Sequence, residues 1–580
     1  MKTTNLSASK LFRQSPLIIG LALALSGNAF AGDRCANLPG STATPSNAFA
    51  CGRNANATGL NSTAVGTDSR ATDEDAAAFG HLANAAGFHS TALGTQANAA
   101  GRGGTALGWR AEASGDLSTA TGNNAVASGA LSTANGRAAT ASGDNSTAVG
   151  QDAQATGANS SAIGQGTRAT DEDATAVGQT ATATGFHSTA IGAQANASGR
   201  GGTALGWRAQ ATGGLSTATG NDAIASGDNS TANGRSATAS GVNSTAVGQT
   251  ASASGANATA VGQGSVASDE DALAVGQTAT ASGFHSSAIG TQATASGRGG
   301  TAVGWRAQAS GSLSTATGND AVASGANSTA NGRAAQATAE NATAVGQGAV
   351  ASDADAMAIG QGAQSTGFHS SAVGTQAVAS GLGGTATGWR ANATGALSTA
   401  NGNSATASGA SSTAVGRAAT ASANNSVAVG AGSSASADNS VALGNGSVAN
   451  RANTVSVGSS SNARQVTNVA AGSQATDAVN FGQFRTEIDF LQGYADRRFS
   501  ETNQRIDEVA ALNAAMSTMV GSAAGLRTDN RLAIGAGFAG GESALSVGYQ
   551  HAFEDNMTLT FGGAFTSDEA QAGLGFGYGW

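Results

Sequence analysis

The sequence predicts a mainly β protein whose body is a parallel solenoid of 14-residue coils. The motif Asn61-Ser-Thr-Ala-Val-Gly66 recurs along the chain, and its glycine returns once per coil, without a change of interval, as far as Gly458, which gives 29 coils without an insertion. Each coil contains two short stretches in which residue character alternates with a period of two, as in β-strands. Such strict periodicity distinguishes the chain from a low-complexity linker of glycine, serine and alanine.

Residues 1–31 have the three parts of a secretory signal peptide. Lys2, Lys10 and Arg13 precede the apolar run 17–25, and Ala29-Phe30-Ala31 is a small-x-small cleavage site. The apolar run is too short to span a membrane. Removal of residues 1–31 leaves 23 arginines against 35 acidic residues, a net charge of −12. This balance disfavours a nucleic-acid partner, because phosphates require a basic surface.

Residues 32–60 form a predicted N-terminal cap that contains both cysteines of the chain, Cys35 and Cys51. In an exported protein, two cysteines this close in sequence are expected to form one local disulfide.

Residues 61–460 form the predicted head. Thr63 and Val65 share one face of a strand and Ala64 takes the other, so we expect the row of Val65 to supply the few large groups of a small core. Gly66 and Gly101 mark turns, where glycine allows a positive φ. Eight coils replace the large aliphatic residue with a polar one, and such residues would need partners if they pointed inward or would set the register between chains. These residues are Thr121, Asn135, Thr219, Asn233, Thr317, Asn331, Thr387 and Asn401.

A longer period overlies the coil period. Trp109, Trp207 and Trp305 recur at intervals of seven coils, and Trp389 follows after six. Phe88-His89 and the acidic turn at residues 73–75 recur at the same intervals. We call each such stretch a block.

Residues one coil apart in sequence lie on adjacent coils, so Glu74, Phe88 and Arg102 are expected to stack, with Asp75 beside His89 and Trp109 on the other turn. One interpretation makes Phe88, His89, Arg102 and Trp109 a stripe that binds a ligand. The other, which is favoured because aromatic side chains are more often buried, makes them contacts between chains. The acidic turns lack the glycine-aspartate pattern of calcium β-rolls, so solvated turns are expected rather than Ca²⁺ sites.

No catalytic motif accompanies these residues. The repeated histidines have neither a nucleophile elbow nor a general-base pair, and the copies lie seven coils apart. The sequence therefore predicts a protein that is not an enzyme and that has no cofactor and no metal site.

The pattern changes after the head. Residues 464–472 read Arg-Gln-Val-Thr-Asn-Val-Ala-Ala-Gly, and residues 476–480 read Thr-Asp-Ala-Val-Asn. Together with the preceding coils, this segment resembles the neck of YadA-like trimeric autotransporter adhesins. The resemblance implies a left-handed β-roll head and a neck at 461–484 that adapts the head to a narrower stalk, although Phe481 and Phe484 stand where smaller aliphatic residues are more usual. The residues that carry the neck motif are Val466, Asn468, Val469, Asp477, Ala478, Val479 and Asn480.

Residues 485–520 are predicted to form a short trimeric coiled-coil stalk, because apolar residues follow heptad spacing with one four-residue stutter. The heptad positions include the last part of the neck and are Phe481, Phe484, Ile488, Leu491, Ala495, Phe499, Thr502, Ile506, Val509, Asn513 and Met516.

Residues 521–580 are predicted to form an outer-membrane anchor. They contain four alternating, glycine-rich stretches near 530–538, 543–552, 556–565 and 570–580, each about the ~9–11 residues that a tilted membrane strand needs. Four strands cannot close a barrel, and open edges are not tolerated in lipid, so three chains would supply twelve strands. The terminal Trp580 resembles the end signature of outer-membrane barrels.

The sequence thus predicts a homotrimer, anchored in the outer membrane with its head and stalk on the cell surface. The expected function is adhesion to host extracellular matrix, to a cell-surface receptor or to like fibres on other cells, with export of the head through its own barrel and insertion by the barrel-assembly machinery. The alternative is a structural surface fibre without a specific host ligand. An ice-binding solenoid would show a Thr-x-Thr ladder, whereas the recurring motif of this chain offers one threonine, in Thr-Ala-Val.

Overall fold

The computed structural model describes residues 38–45 and 47–580, which fall into two compact units that divide after residue 463. The predicted signal peptide and Cys35 lie outside the described residues. Cys51 is disulfide-bonded, and its pairing with Cys35 stays a prediction.

The first unit is a parallel β-solenoid of 60 strands, β1 to β60, that form two sheets of 30 strands each. The two-residue strands of the short-strand sheet begin with Thr42–Ala43 and recur once per coil to Val448–Ala449. The three-residue strands of the long-strand sheet begin with Phe49–Cys51 and recur to Val441–Leu443, followed by the shorter Val455–Ser456. The parallel solenoid that the repeat predicts is confirmed.

Each strand pairs with the strand one coil later without any shift in register. Thr147, Ala148 and Val149 lie beside Ser161, Ala162 and Ile163. Thr147 donates its backbone N–H to Ser160 at 2.8 Å, and Gly164 donates to Val149 at 2.7 Å. Because every coil adds the same set of bonds to the previous one, an insertion that is not a whole coil would break both ladders.

The interior of the coil differs from the expected core. Ala148 and its equivalents on the long strands are fully buried, as are alanines on and before the short strands such as Ala153 and Ala155. Val149 lies on the outer face of its strand, where Leu93 and Leu107 are exposed. The expectation that the row of Val65 fills the core was wrong, because the interior holds only small side chains, which in the described part of the head are alanines, serines and Thr167.

The outward direction of this row also shows where the eight polar replacements point. Residues such as Thr121 and Asn135 lie on the same outer face as the valines and leucines, half-buried or exposed. Since they do not point inward, they need no partner inside the coil.

Glycine is required where a long strand ends, because successive coils approach closely there. Gly150 has a φ of +129°, and a Cβ at this residue would lie 2.5 Å from the carbonyl oxygen of Gly164. Gly101 does not have the expected positive φ. It is glycine because a Cβ would lie 1.9 Å from the carbonyl oxygen of Gly115.

The second unit begins with an irregular segment that leads into helix α1, Phe481–Ala524. Asn480 caps the helix, since its side chain accepts from the Gln483 backbone N–H at 2.8 Å. The helix starts before the predicted stalk and continues one turn beyond it. Its heptad residues Phe481, Phe499 and Ile506 are exposed within one chain.

Four antiparallel strands follow in sequential order, namely β61 Asn530–Ala539, β62 Glu542–Phe553, β63 Met557–Phe565 and β64 Ala570–Tyr578, with a single 3-10 turn at Glu554–Asn556. Small residues of this sheet face α1, and a Cβ at Gly535 would lie 2.3 Å from the carbonyl oxygen of Ala515. The large apolar residues Leu532, Ile534 and Phe538 point away and are exposed. The sheet therefore has an apolar outer face and two unpaired edges, β61 and β64.

Within the described residues, no helix is both long enough and apolar enough to cross a membrane.

Candidate functional site

Every coil turns twice. We call the turn that leads from a short strand into a long strand the first turn, and the turn that leads from a long strand into a short strand the second turn. Each turn contains a residue in the left-handed region, such as His89 with φ 57° in a first turn and Arg110 with φ 56° in a second turn. This conformation costs an L-residue about 1–2 kcal/mol. The regular bonds between coils offset the cost, since the His89 N–H donates to the Glu74 carbonyl at 2.8 Å.

The first turns carry what we call the aromatic patch, formed by Asp75, Phe88, His89 and Arg102. His89 Nε2 lies 3.0 Å from Asp75 Oδ2. The rings of Phe88 and His89 stack with their centroids 3.8 Å apart, and the Arg102 guanidinium lies 5.7 Å from the Phe88 ring centroid. The structure thus brings together three of the four predicted stripe residues. This contact between His89 and Asp75 is exposed, so it orients the imidazole and contributes about 0–1 kcal/mol.

The patch recurs in the later blocks with nearly the same geometry. The His–Asp distances are 2.9 Å for His187–Asp173, 2.9 Å for His285–Asp271 and 2.8 Å for His369–Asp355. Arg200 and Arg298 repeat the contact with phenylalanine at 5.5 and 5.4 Å. In the fourth block Leu382 takes the place of the arginine.

Trp109 lies on the second turn, and the long strand Thr105–Leu107 separates it from Arg102. Its own neighbour Arg110 covers the ring at 5.3 Å from the centroid. The four tryptophans at this position are 44–46% exposed in one chain. The predicted stripe is therefore two separate surfaces, one on each edge of the solenoid.

The first aspartate of each acidic turn accepts a hydrogen bond within the turn itself. Asp73 Oδ1 accepts the backbone N–H of Glu74 at 2.8 Å, and the turns at Asp171, Asp269 and Asp353 repeat this bond. In the part of the chain that the structure describes, no three His, Cys, Asp or Glu side chains are grouped so that they could hold a metal ion.

Sequence reasoning missed one feature of the first turns. One coil after Gly103, the side chain of Leu117 projects from the turn and is 60% exposed. Its Cδ2 lies 2.7 Å from where a Cβ of residue 103 would be. The available signal was the pair Gly103-Gly104, which recurs once in every block and always in the coil that carries the tryptophan.

The neck residues form a local hydrogen-bond network. Asp477 accepts the backbone N–H groups of Ser473 and Gln474 at 2.8 and 2.9 Å, and these bonds lower the pKa of its carboxyl group. Asn480 Nδ2 donates to the Val469 carbonyl at 3.1 Å.

The other residues of the neck motif are mostly exposed to solvent in one chain. Val466 and Val479 are exposed, as is Ala478, and Asn468 has a left-handed backbone with φ 63°. Trp580, at the end of the anchor, is fully exposed in one chain.

Three family models match the chain. The YadA head domain repeat matches in adjoining or overlapping copies between residues 57 and 461. The coiled stalk of trimeric autotransporter adhesin matches residues 465–507, and the YadA-like membrane anchor domain matches residues 513–580. Among solved structures, the crystal structure of the collagen-binding domain of Yersinia adhesin YadA is 28% identical, covers 36% of this chain and 85% of that chain, and has a TM-score of 0.16. No curated protein matches the chain significantly.

Proposed function

This chain belongs to the YadA-like trimeric autotransporter adhesins, and on that basis we propose that its head is a multivalent adhesive surface. Its anchor domain holds it in the outer membrane, with the stalk and head on the cell surface. The proposed target is host extracellular matrix, a host-cell receptor or like fibres on other cells.

Assembly into three chains accounts for three surfaces that one chain leaves uncovered. These are the aliphatic row of the long-strand sheet, the heptad face of α1, and the two unpaired edges of the anchor sheet. Around a common axis, the rows of Leu93 and Leu107 would pack against each other, and three anchor sheets would supply twelve strands. Export of the head through this barrel, and insertion by the barrel-assembly machinery, belong to the same proposal.

The adhesive part of the proposal is based on the repetition of the aromatic patch in four blocks. Phe88 and Arg102 lie in first turns, between a short strand and a long strand, and offer a flat ring and a cation. One patch is small and would bind weakly. Four patches per chain would bind a periodic target with much higher avidity, since the first three are spaced roughly 34 Å apart, for seven coils at ~4.8 Å, and the fourth follows after six coils, about 29 Å.

Removal of whole blocks tests the proposal. Deletion of residues 101–198 joins two equivalent coil positions, removes seven coils, and should leave the solenoid folded. Cells that display heads with four, three, two and one block should adhere to matrix proteins, or aggregate with each other, progressively less. A matched control replaces Phe88, Phe186, Phe284 and Phe368 with serine in the full-length head, which should lower adhesion without shortening the fibre.

If a one-block head adheres as well as the full head, avidity does not come from repetition. Adhesion would then belong to the N-terminal cap, and the long solenoid would serve as a structural fibre that holds the cap away from the cell.

A further inference from the structure

We infer that neighbouring chains of the trimer interlock at the edges of their coils, where Trp109 of one chain packs on Gly103 and Leu117 of the next chain. The contact recurs once in each of the four blocks. The inference rests on the proposed three-fold assembly of the head and concerns residues that the aromatic patch does not use.

The first observation is that tryptophan, glycine and leucine occur together in the same relative positions in all four blocks. Whenever the second turn carries tryptophan, the first turn of the same coil carries glycine, and the next coil carries leucine at that position. The sets are Gly103, Leu117 and Trp109; Gly201, Leu215 and Trp207; Gly299, Leu313 and Trp305; and Gly383, Leu397 and Trp389.

The four leucines are 60, 67, 63 and 62% exposed, which places them among the most exposed aliphatic side chains of the head. Each lies over its glycine, because a Cβ on that glycine would meet the leucine Cδ2 at 2.7–2.8 Å. The glycine therefore makes room for the leucine, whose methyl group covers it and presents an exposed apolar surface. Four exposed leucines and four exposed tryptophans at matching heights are unusual for a solvent-facing surface and typical of an interface.

The second observation is where these residues lie relative to the aliphatic row. Gly103 precedes the long strand Thr105–Leu107 by two positions, and Trp109 follows it by two positions. Both therefore border the sheet whose outer face carries the row. When three such faces surround a common axis, a rotation brings the first-turn edge of one chain to the second-turn edge of the next at equal height.

The third observation is that the two edges carry opposite charge. From Arg53 to Gly458, the second turns hold nine arginines and four aspartates, a net charge of +5. Over the same residues, the first turns hold sixteen acidic residues and four arginines, a net charge of −12. Contact between unlike edges is favoured, whereas contact between like edges would be repulsive. Charge thus favours the same head-to-tail ring that a contact between the tryptophan and the exposed leucine requires.

Cysteine cross-linking of the full-length protein in its membrane tests this contact. The double variant Trp109→Cys with Leu117→Cys should form disulfides between chains and give a three-chain band on a denaturing, non-reducing gel. Within one chain the two positions lie on opposite edges of successive coils, and a three-residue strand that spans from edge to edge is ~10 Å long. That separation exceeds the reach of a disulfide, whose Cα atoms lie within about 7 Å.

The matched control pairs Trp109→Cys with Asn145→Cys. Asn145 lies in a first turn, like Leu117, but two coils further along the solenoid, about 10 Å from Leu117. This pair and both single variants should not cross-link. An assembled trimer that fails to cross-link in the Trp109–Leu117 pair, or that cross-links equally in the control, overturns the inference.

A second measurement needs no cysteine. In a Trp580→Phe background, the four head tryptophans of the assembled protein should be quenched by acrylamide at least about three-fold less than free tryptophan. Quenching equal to that of free tryptophan would contradict the contact, even where a cysteine variant does not assemble. A head that cross-links but does not adhere would refute the adhesive function and leave this contact standing.

Discussion

Replacement of Gly150 with alanine tests whether close coil stacking dictates the repeating glycine. The Cβ would lie 2.5 Å from the carbonyl oxygen of Gly164, in a ladder that allows no local shift because each neighbouring coil makes the same bonds. The backbone at Gly150 has a φ of +129°, a region that side-chain-bearing residues rarely adopt.

The expected cost follows from these two terms. The strained backbone contributes about 1–3 kcal/mol and the forced displacement of the next coil about 1–3 kcal/mol, so Gly150→Ala should destabilise its coils by about 2–6 kcal/mol. Gly432→Ala is the matched control. Gly432 has a φ of +63° with nothing within 4 Å of its Cβ position, and Ala418 already holds the equivalent position one coil earlier. Its net cost should be about 1 kcal/mol or less, because a less flexible unfolded chain offsets part of the left-handed penalty.

Hydrogen exchange of the full-length trimer, read by mass spectrometry, separates the two variants. Amides between residues 136 and 164 should exchange at least about 30-fold faster in Gly150→Ala, since each ~1.4 kcal/mol is a factor of ten. Amides around Gly432 should change by less than about ten-fold in the control. Equal exchange in the two variants would refute the reasoning, because it would mean that glycine at position 150 is not required by stacking.

Four further predictions follow from other parts of the chain. Hydrogen bonds from Ser473 and Gln474 lower the pKa of Asp477, so their stabilisation of the neck is complete at neutral pH and is lost as the pH falls below the ordinary value of 3.8; the protection of neck amides, taken relative to the intrinsic exchange rate at each pH, should therefore decrease between pH 5 and pH 2 in the parent and much less in Asp477→Asn. Thiol titration of the denatured, unreduced mature protein should find no free cysteine, and reduction should destabilise the cap by ~3 kcal/mol; two thiols per chain would disprove the Cys35–Cys51 pair. Deletion of residues 226–239, which is one whole coil, should preserve the circular dichroism spectrum, whereas deletion of 226–238 should expose the head to proteolysis; equal resistance would argue against fixed register. Deletion of residues 570–580 removes strand β64 and Trp580 and should abolish surface exposure of the head to externally added protease; normal exposure would contradict the anchor.

The sequence was sufficient for the arrangement of the chain because its signals are periodic. The interval from Gly66 to Gly458 predicted the pairing of the coils and 29 of the 30 coils that the structure describes, and the one-coil offset between Asp75 and His89 predicted their contact. The remaining coil, with the long strand Phe49–Cys51, lies in the predicted N-terminal cap. These conclusions follow from stacking alone and do not depend on the direction of side chains.

The direction of side chains was predicted less well. Alternation shows that Ala148 and Val149 lie on opposite faces, but it does not show which face is inside. The larger residue is the usual choice for a core, and only the spacing between two thin sheets reverses that choice. The exposed Leu117 and the left-handed His89 were missed for a similar reason, because general turn preferences favour glycine or asparagine where regular bonds between coils here hold other residues.

The number of chains in one detergent-solubilised particle tests the account most directly. The aliphatic row of the head, the heptad face of α1 and the open edges of the anchor sheet all require partners, and a single assembly of three identical chains supplies them all. Native mass spectrometry of the full-length protein should give three chains per particle, without a populated monomer. A stable, folded monomer with a protease-resistant head would contradict the account, because one chain would then suffice to cover surfaces that the structure leaves exposed.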